Sequence, residues 1–153
     1  EVEKLMRKQF EIIVELDATS PLRCVSDIKG AAKLLEEHGV SNVITGTIAR
    51  RSPYFNLVEV GTDGVARLSK MLEKPIYRRQ DSPRCYDMNA SVYVWLRDAL
   101  FKSLSVFLDY TLLYEMPLER SIDIDSEIDF EFVQFLLSQR EFATQNDHRS
   151  RKG

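Results

Sequence analysis

Cysteine and histidine are scarce in this sequence, which contains two of each: Cys24, Cys85, His38 and His148. Neither cysteine belongs to a CxxC pair, so the spacing excludes a common type of structural zinc site. Two isolated cysteines also give no sign of the disulfide framework that small secreted domains use. We therefore expect two reduced thiols in a cytoplasmic protein.

A basic excess is missing as well. The 153 residues include 21 Lys and Arg against 24 Asp and Glu, which gives a net charge of −3. Proteins that bind nucleic acid usually carry a clear positive excess, so we expect no nucleic-acid partner. No apolar run reaches membrane-spanning length, and we expect no membrane partner. Any phosphate chemistry must depend on local basic clusters.

The composition that remains, 44% apolar and 29% charged, is typical of one globular domain. We predict a folded domain over residues 1–142 and a disordered polar tail over residues 143–153. The chain starts at Glu1, within what reads as an amphipathic helix. We expect this start to be a cut inside a larger protein.

The first half of the sequence reads as an α/β unit. Residues 12–16 (IIVEL) are typical of a strand buried on both faces of a parallel sheet. A helix is expected next, with Ser26 as its N-terminal cap and Gly39 at its end. Residues 43–48 read as the following strand, and a strand, a helix and a strand in this order indicate an α/β fold.

The second half reads as a hairpin, a long loop, a strand and a final helix. Residues 61–64 (GTDG) predict a hairpin turn. Residues 73–88 are rich in Arg, Pro and Asp and predict a functional loop before a strand over residues 90–96. The last helix is expected to start at Ser126, capped with Asp129. Its apolar stripe is predicted to consist of Ile128, Phe132, Phe135 and Leu136.

The stretch LDATSPLR, residues 16–23, lies where the first strand ends. In open α/β sheets, ligands bind in the crevice outside the carboxyl ends of the strands. The cluster also fits an ordinary strand-to-helix loop with a capping hydroxyl. Its candidate substrate-binding residues are Asp17, Thr19, Ser20 and Arg23.

A second cluster, RRQD, occupies residues 78–81. Two guanidinium groups beside an amide suit a carboxylate or a phosphate, because arginine offers a flat fork of donors. A charged surface loop is the alternative interpretation. Arg50 and Arg51 form a similar pair that suits an anionic sugar, although a solvated pair is the simpler reading. The candidate substrate-binding residues here are Arg78, Arg79, Gln80, Tyr86, Asn89 and Ser91.

The stretch SIDIDSEIDF, residues 121–130, places Asp123 and Asp125 on either side of Ile124. In an extended segment both carboxylates face one side. Such a pair suits magnesium, which prefers hard oxygen ligands. A polar approach to a helix is the alternative. A carboxylate pair, an arginine fork and a strand-end loop together favour transfer chemistry on phosphates.

The sequence resembles the acylneuraminate cytidylyltransferases, also called CMP-sialic acid synthetases, in four stretches that occur in the same order. The resemblance covers nearly the whole chain except the basic tail. LDATSPLR followed by DIKGA is similar to the bacterial branch that handles legionaminic acid or close relatives. The four stretches are TSPLR (19–23), SPYFNLVEV (52–60), RRQD with Tyr86, Asn89, Ser91 and Tyr93, and YEMPLERSIDIDSEIDF (114–130).

The resemblance implies a nucleotide-diphospho-sugar transferase-like, Rossmann-like mixed sheet with helices on both faces. It also implies a homodimer formed through a protruding hairpin and loop. The implied reaction transfers CMP from CTP to the anomeric hydroxyl of a nonulosonic acid and releases pyrophosphate, with Mg²⁺ as cofactor, for a cell-surface polysaccharide. Asp123 and Asp125 are then the catalytic metal ligands. Arg78, Arg79 and Gln80 surround the acidic sugar and the dimer contact.

Two departures from the family pattern leave alternatives open. Asp17 stands where many relatives have glutamine, so its contact with the sugar or the nucleotide is undecided. No stretch matches the basic, glycine-containing loop that wraps the triphosphate, and we expect the chain alone to be incomplete as a catalyst. The alternatives are an inactive sugar-binding or dimerising module, and a cytidylyltransferase for pseudaminic or 3-deoxy-octulosonic acid. The RRQD and YEMP stretches argue against the octulosonic branch.

Overall fold

The computed structural model describes residues 1–140 in full and residues 141–150 by their backbone. The chain forms two compact units, one of Glu1–Gly46 with Met88–Gly153 and the other of Thr47–Asp87. The tail predicted over residues 143–153 lies outside the fully described residues. Within the described part, no helix combines the length and the apolar character that crossing a membrane requires.

The first unit is built on a four-stranded mixed sheet in the order β1-β5-β2-β6. β1 pairs antiparallel with β5, whereas β2 pairs parallel with β6. This arrangement confirms the predicted mixed α/β fold. The elements are α1 (Val2–Met6), β1 (Ile12–Leu16), α2 (Val25–His38), β2 (Asn42–Ile48), β3 (Val58–Val60), β4 (Ala66–Leu68), β5 (Tyr86–Leu96), α3 (Arg97–Lys102), β6 (Thr111–Glu115) and α4 (Glu127–Ser150).

The core lies between α2 and the two central strands. Ala31 and Leu35 of α2 pack with Val43 of β2 and with Val92 and Val94 of β5. All five side chains are almost completely removed from water. Because burial of apolar surface is the main favourable term in folding, this cluster holds α2 against β2 and β5.

β1 is an edge strand, so the prediction that it is buried on both faces of a parallel sheet is wrong. Within the part of the chain that the structure describes, β1 pairs with β5 alone, and Val14 and Leu16 are 39% and 44% exposed. A short apolar run has the same appearance in an edge strand and in a central one. Whether β1 is an edge or a central strand depends on its pairing, and its partner β5 lies about 80 residues away in the chain.

The ends of α2 follow from local chemistry, although the cap differs from the prediction. Cys24, and not Ser26, is the N-terminal cap, because the Asp27 carboxylate accepts a hydrogen bond from the Cys24 amide at 2.8 Å in a capping box. Gly39 ends the helix as expected, with a φ of 61° that glycine adopts without steric cost.

α4 packs through a face that contains only one residue of the predicted stripe. Val133 is 2% exposed and Leu136 is partly buried, whereas Ile128, Phe132 and Phe135 of the stripe are 78%, 47% and 56% exposed. The packed face includes Arg140, which donates hydrogen bonds to two backbone carbonyl groups. A search for apolar periodicity alone misses a helix face that docks partly through polar contacts.

The second unit contains the predicted hairpin of β3 and β4. The amides of Gly61 and Gly64 donate to the carbonyl oxygens of Val65 and Gly61 at 3.1 and 2.9 Å. Gly64 has a φ of 74°, which favours glycine at this position of the turn. The loop predicted to reach residue 88 is shorter, because β5 starts at Tyr86.

Gly30 of α2 lies directly against Tyr114 of β6. A Cβ atom at position 30 would lie 2.5–2.7 Å from atoms of the Tyr114 ring and hydroxyl. We predict that Gly30→Ala destabilises the fold, because overpacking typically costs about 1–3 kcal/mol and outweighs the gain of about 1 kcal/mol in helix propensity. Urea unfolding measures the difference, with Lys29→Ala on the exposed side of α2 as control. A Gly30→Ala variant as stable as wild type would contradict this contact.

Glu3 of α1 and Arg97 of α3 form a two-pronged ion pair, with Nε–Oε1 and Nη2–Oε2 distances of 2.7 and 2.8 Å. The Arg97 hydrogen bonds, and one from the Phe10 amide, lower the pKa of Glu3 from 4.5 to about 2. Its stabilising effect is therefore fully present above pH 4.5 and is lost as the pH falls through about 2.

We predict that Glu3→Gln lowers the stability toward urea at pH 7 and that its difference from wild type shrinks as the pH falls from 5 toward 2. Paired urea titrations across this range measure that difference. A difference that does not change with pH would show that the pair has no electrostatic role.

Candidate functional site

The loop that follows β1 is held by its own side chains. Asp17 Oδ1 accepts hydrogen bonds from the amide and the hydroxyl of Thr19 at 3.1 and 2.9 Å. These two bonds hold the pKa of the Asp17 carboxyl below its ordinary value. The loop is thus a preorganised turn, as the spacing of Asp and Thr predicts.

Arg23 ties this loop to the sheet. Its Nη1 donates to the carbonyl oxygens of Asp17 and Ser20, both at 2.6 Å, and lies 3.4 Å from that of Ser91. These contacts fix the shape of the loop, because one guanidinium nitrogen joins three backbone groups. Binding of substrate by Arg23 stays a prediction.

Asn89 is the centre of a buried polar network. Its Oδ1 accepts hydrogen bonds from Thr45 Oγ1 at 2.7 Å and from the Ser91 amide at 3.2 Å. Its Nδ2 lies 3.5 Å from Met116 Sδ, and its carbonyl oxygen lies 3.2 Å from Ser20 Oγ. Four of the five residues are at most 1% exposed and Asn89 is 6% exposed. Asn89 therefore acts through its neighbours, in a position that fixes the loop and two strands.

The backbone is strained directly beside this network. Ala90 has a φ of 50°, in the left-handed region that a residue with a Cβ atom rarely adopts. The bond from the Ser91 amide to Asn89 Oδ1 spans this residue. The Ser91 hydroxyl, which we predicted to bind substrate, is fully buried and has no hydrogen-bond partner in the structure.

Thr45 is a site residue that the sequence reasoning missed. Its hydroxyl also lies within 3.1 Å of the Val92 carbonyl oxygen and the Val92 amide. The available signal was a hydroxyl residue within the apolar strand VITGTI. A buried hydroxyl needs a partner, and here it finds one across the sheet.

The aspartate segment packs onto the loop that follows β1. The Ile124 amide donates to the Thr19 carbonyl oxygen at 3.0 Å, and Ser20 Oγ lies 3.4 Å from Asp123 Oδ1. The structure thus brings together two of the clusters identified in the sequence, which lie 100 residues apart.

The two aspartates have different surroundings. Asp123 is partly buried, and its Oδ1 also accepts a hydrogen bond from the Ile124 amide at 3.1 Å. The Asp125 carboxylate is exposed. Among the described side chains, no three His, Cys, Asp or Glu residues form a metal-ligand group. The pair still fits Mg²⁺, which is usually bound by one or two carboxylates together with water and substrate phosphates.

Tyr93 of β5 belongs to the same site. Burial, followed by the negative charges of Glu15, Asp17 and Asp123, raises the pKa of its phenol. The sequence comparison singled out Tyr93 only as a matching position. Its hydroxyl stays protonated near neutral pH and remains available as a donor.

The RRQD cluster lies in the second unit beside a cavity of about 120 Å³. Arg79, together with Arg51 and Arg84, lines the cavity, whereas Arg78 and Gln80 do not, although all five side chains are exposed to solvent. Arg79 is fixed by a hydrogen bond from its Nη2 to the Ala49 carbonyl oxygen at 2.9 Å. No described carboxylate lies within 4 Å of these three guanidinium groups, which leaves their positive charge for an anion.

The arginine cavity changes which residues of this cluster are the strongest candidates. Arg51 appeared in the sequence as a weak candidate, and Arg84 was missed because it stands alone among Pro and Cys. Tyr86, also predicted to bind substrate, is partly buried at the start of β5.

Three comparisons place these features among known proteins. The chain is 41% identical over 138 residues to post-translational flagellin modification protein B of Campylobacter coli, covering 90% of this chain and 57% of that protein. It is 43% identical over 129 residues to CMP-N,N'-diacetyllegionaminic acid synthase of Campylobacter jejuni, covering 84% and 54%. It is 30% identical over 117 residues to the N-acylneuraminate cytidylyltransferase of Streptococcus agalactiae, covering 76% of this chain and 28% of that protein.

A solved structure confirms the fold. The 4-diphosphocytidyl-2C-methyl-D-erythritol synthase of Anaerococcus prevotii superposes with a TM-score of 0.57 at 13% identity, covering 90% of this chain and 64% of that chain. No family model matches the sequence.

The chain spans about half the length of the two Campylobacter relatives. Relatives named CMP-N,N'-diacetyllegionaminic acid synthase and N-acylneuraminate cytidylyltransferase align with 84% and 76% of this chain, and they support its resemblance to the acylneuraminate cytidylyltransferase family and to the legionaminic acid branch.

Proposed function

We propose that the protein to which this chain belongs transfers CMP from CTP to the anomeric hydroxyl of a nonulosonic acid and releases pyrophosphate. The observation that carries the proposal is the packing of the aspartate segment onto the strand-end loop, through Ile124 and Thr19. This contact brings a carboxylate pair to the place where α/β folds bind ligands. The named activities of the relatives agree with this reading.

Asp123 and Asp125 are the residues that would hold Mg²⁺. The ion would supply positive charge that offsets the charge of the CTP phosphates. Asp123 is oriented by Ser20 Oγ and the Ile124 amide, so its position does not depend on the ion. Asp125 keeps an exposed carboxylate for a ligand. The Tyr93 hydroxyl can donate to the acceptor sugar, and the Thr19 hydroxyl, which already donates to Asp17, can accept a hydrogen bond from it.

The arginine cavity of the second unit, taken by itself, suits an acid group of the kind that nonulosonic acids carry. A carboxylate forms paired hydrogen bonds with a guanidinium group, and Arg51, Arg79 and Arg84 surround a space of that size. The similarity to the C. jejuni synthase makes a legionaminic acid the preferred acceptor. Cys24 and Cys85 are unpaired in the structure, which agrees with a reaction in the reducing cytoplasm.

The test uses this chain alone and a chimera in which it replaces the aligned part of the C. coli relative. We expect the chimera to release pyrophosphate from CTP with Mg²⁺ and N,N'-diacetyllegionaminic acid, and the chain alone to release little. Asp125→Asn should lower the chimera's rate about a hundredfold or more, and Asp123→Asn should also lower it, because each change removes charge that holds the metal.

Asp129→Asn is the matched control. Asp129 accepts hydrogen bonds from Ser126 Oγ at 2.7 Å and from the Asp125 amide at 3.3 Å at the start of α4. Asparagine keeps an acceptor oxygen for the Asp125 amide and removes only the charge, so this change should lower the melting temperature slightly and leave the rate unchanged. Thermal melts accompany the rates. A folded chimera without turnover would refute the proposed activity. Full activity with a lowered melting temperature in both variants, Asp123→Asn and Asp125→Asn, would refute the metal role.

We also propose that the protein is a homodimer that associates through the β3–β4 hairpin. Val58, Val60 and Leu68 share one face of the hairpin and are 54%, 66% and 40% exposed. Exposed apolar faces of this kind favour association. We predict that Val60→Glu shifts sedimentation equilibrium of the chimera toward monomer at micromolar concentration. Val25→Glu, at an equally exposed position of α2, should not. A monomeric wild-type chimera would refute the proposal.

A further inference from the structure

The segment that carries both aspartates, residues 116–126, is not part of the sheet. Between β6 and α4 it contains one 3-10 turn, Leu118–Arg120, and otherwise no regular structure. Ladder hydrogen bonds therefore do not determine where Asp123 and Asp125 lie. Side-chain and isolated backbone contacts must do so.

The strongest of these contacts joins Arg120 to Asp27. Arg120 Nε and Nη2 donate to the two carboxylate oxygens of Asp27 at 2.9 and 2.8 Å. Asp27 is fully buried, and it also accepts the Cys24 amide. Burial raises the pKa of Asp27, but the bonds from Arg120 and Cys24 outweigh it and hold the pKa below its ordinary value. The pair is thus charged and forked at neutral pH.

Asp123 lies between two anchors. Arg120, three residues before it, is bound to the start of α2, and Ile124, directly after it, is bound to Thr19. Both anchors hold the segment to the same short stretch of chain, from Thr19 to Asp27. A third contact repeats the pattern, because Arg140 of α4 donates to the carbonyl oxygens of Leu22 at 2.8 Å and Glu119 at 3.3 Å.

We propose that the Arg120–Asp27 pair is the positioning element of the metal site: its fork sets the place of Asp123 and Asp125 without touching the ligands. This proposal rests on the proposed function. Buried ion pairs contribute little net stability, since desolvation offsets their attraction. Their fork geometry does fix orientation. The effect of the pair should therefore appear in metal binding more than in stability.

Arg120→Lys is the direct test, because it keeps the charge and removes the fork. In the chimera we expect the Mg²⁺ concentration for half-maximal rate to rise about tenfold or more, as is usual when residues behind metal ligands are changed. The rate at saturating Mg²⁺ should largely recover. In this chain alone, hydrogen exchange at the Ile124 amide should become faster, because its bond to Thr19 depends on the same anchored segment.

Arg97→Lys is the matched control. Arg97 makes a fork of the same kind to Glu3 with nearly equal distances, between α1 and α3. Its loss should affect the melting temperature and leave both the Mg²⁺ dependence and the exchange of Ile124 unchanged. The double variant Arg120→Met with Asp27→Asn removes both charges of the pair and keeps an acceptor oxygen for the Cys24 amide at the start of α2. It should regain stability and keep the weakened Mg²⁺ dependence.

The outcomes separate the two proposals. Unchanged Mg²⁺ dependence in Arg120→Lys, or unchanged exchange of Ile124, would overturn the positioning role. If Arg120→Lys does not fold, a stable double variant with wild-type Mg²⁺ dependence would overturn it as well. If the wild-type chimera shows no turnover, the proposed function fails, and the exchange of Ile124 in this chain still decides whether the pair holds the segment.

Discussion

The side chain of Asn89 makes the contacts on which the rest of the site depends. Its amide oxygen and nitrogen join Thr45 of β2, Ser91 of β5 and Met116 after β6, and its backbone carbonyl lies beside Ser20. A buried side-chain amide that has no hydrogen-bond partner lowers the stability of the fold, because the group has lost its bonds to water and gains none in return. These elements are therefore held in one arrangement. The left-handed Ala90 beside it shows that the arrangement outweighs a local backbone cost.

The loop after β1 and the aspartate segment form one layer on this framework. Arg23 fixes the shape of the loop through hydrogen bonds to its backbone. Ile124 and Arg140 bind to the loop, and Arg120 binds the aspartate segment to α2. Most of these bonds use backbone carbonyls or buried carboxylates. The groups left exposed, among them Asp125 and Thr19, are the ones with oxygen atoms available to a ligand. The residues that hold this motif in place are thus different from the exposed residues that we propose as ligand contacts.

Most of the predictions that depend on local chemistry are confirmed, although Cys24 and not Ser26 caps α2. Gly39 ends α2, Gly64 allows the hairpin turn, and Ser126 with Asp129 starts α4, because each feature needs only residues within a few positions. The predictions that depend on distant partners fare differently. The partner of β1 is β5, and the inward face of α4 is chosen by Leu22 and Glu119. Neither partner can be identified from the sequence pattern of the strand or of the helix alone.

The sequence by itself determined the α/β class, the order of the motifs and the resemblance to the family. These features can be read from composition, turn residues and short sequence motifs, without knowledge of which distant residues meet. It also identified Asp123, Asp125 and Arg79 as candidates from their chemistry. Only the tertiary structure decided that Arg23 and Asn89 mainly support the loop, that Thr45 belongs to the site, and that Arg51 and Arg84 share a cavity with Arg79. The reason is physical: burial and hydrogen bonding between residues far apart in the chain assign each polar group either to the framework or to a ligand.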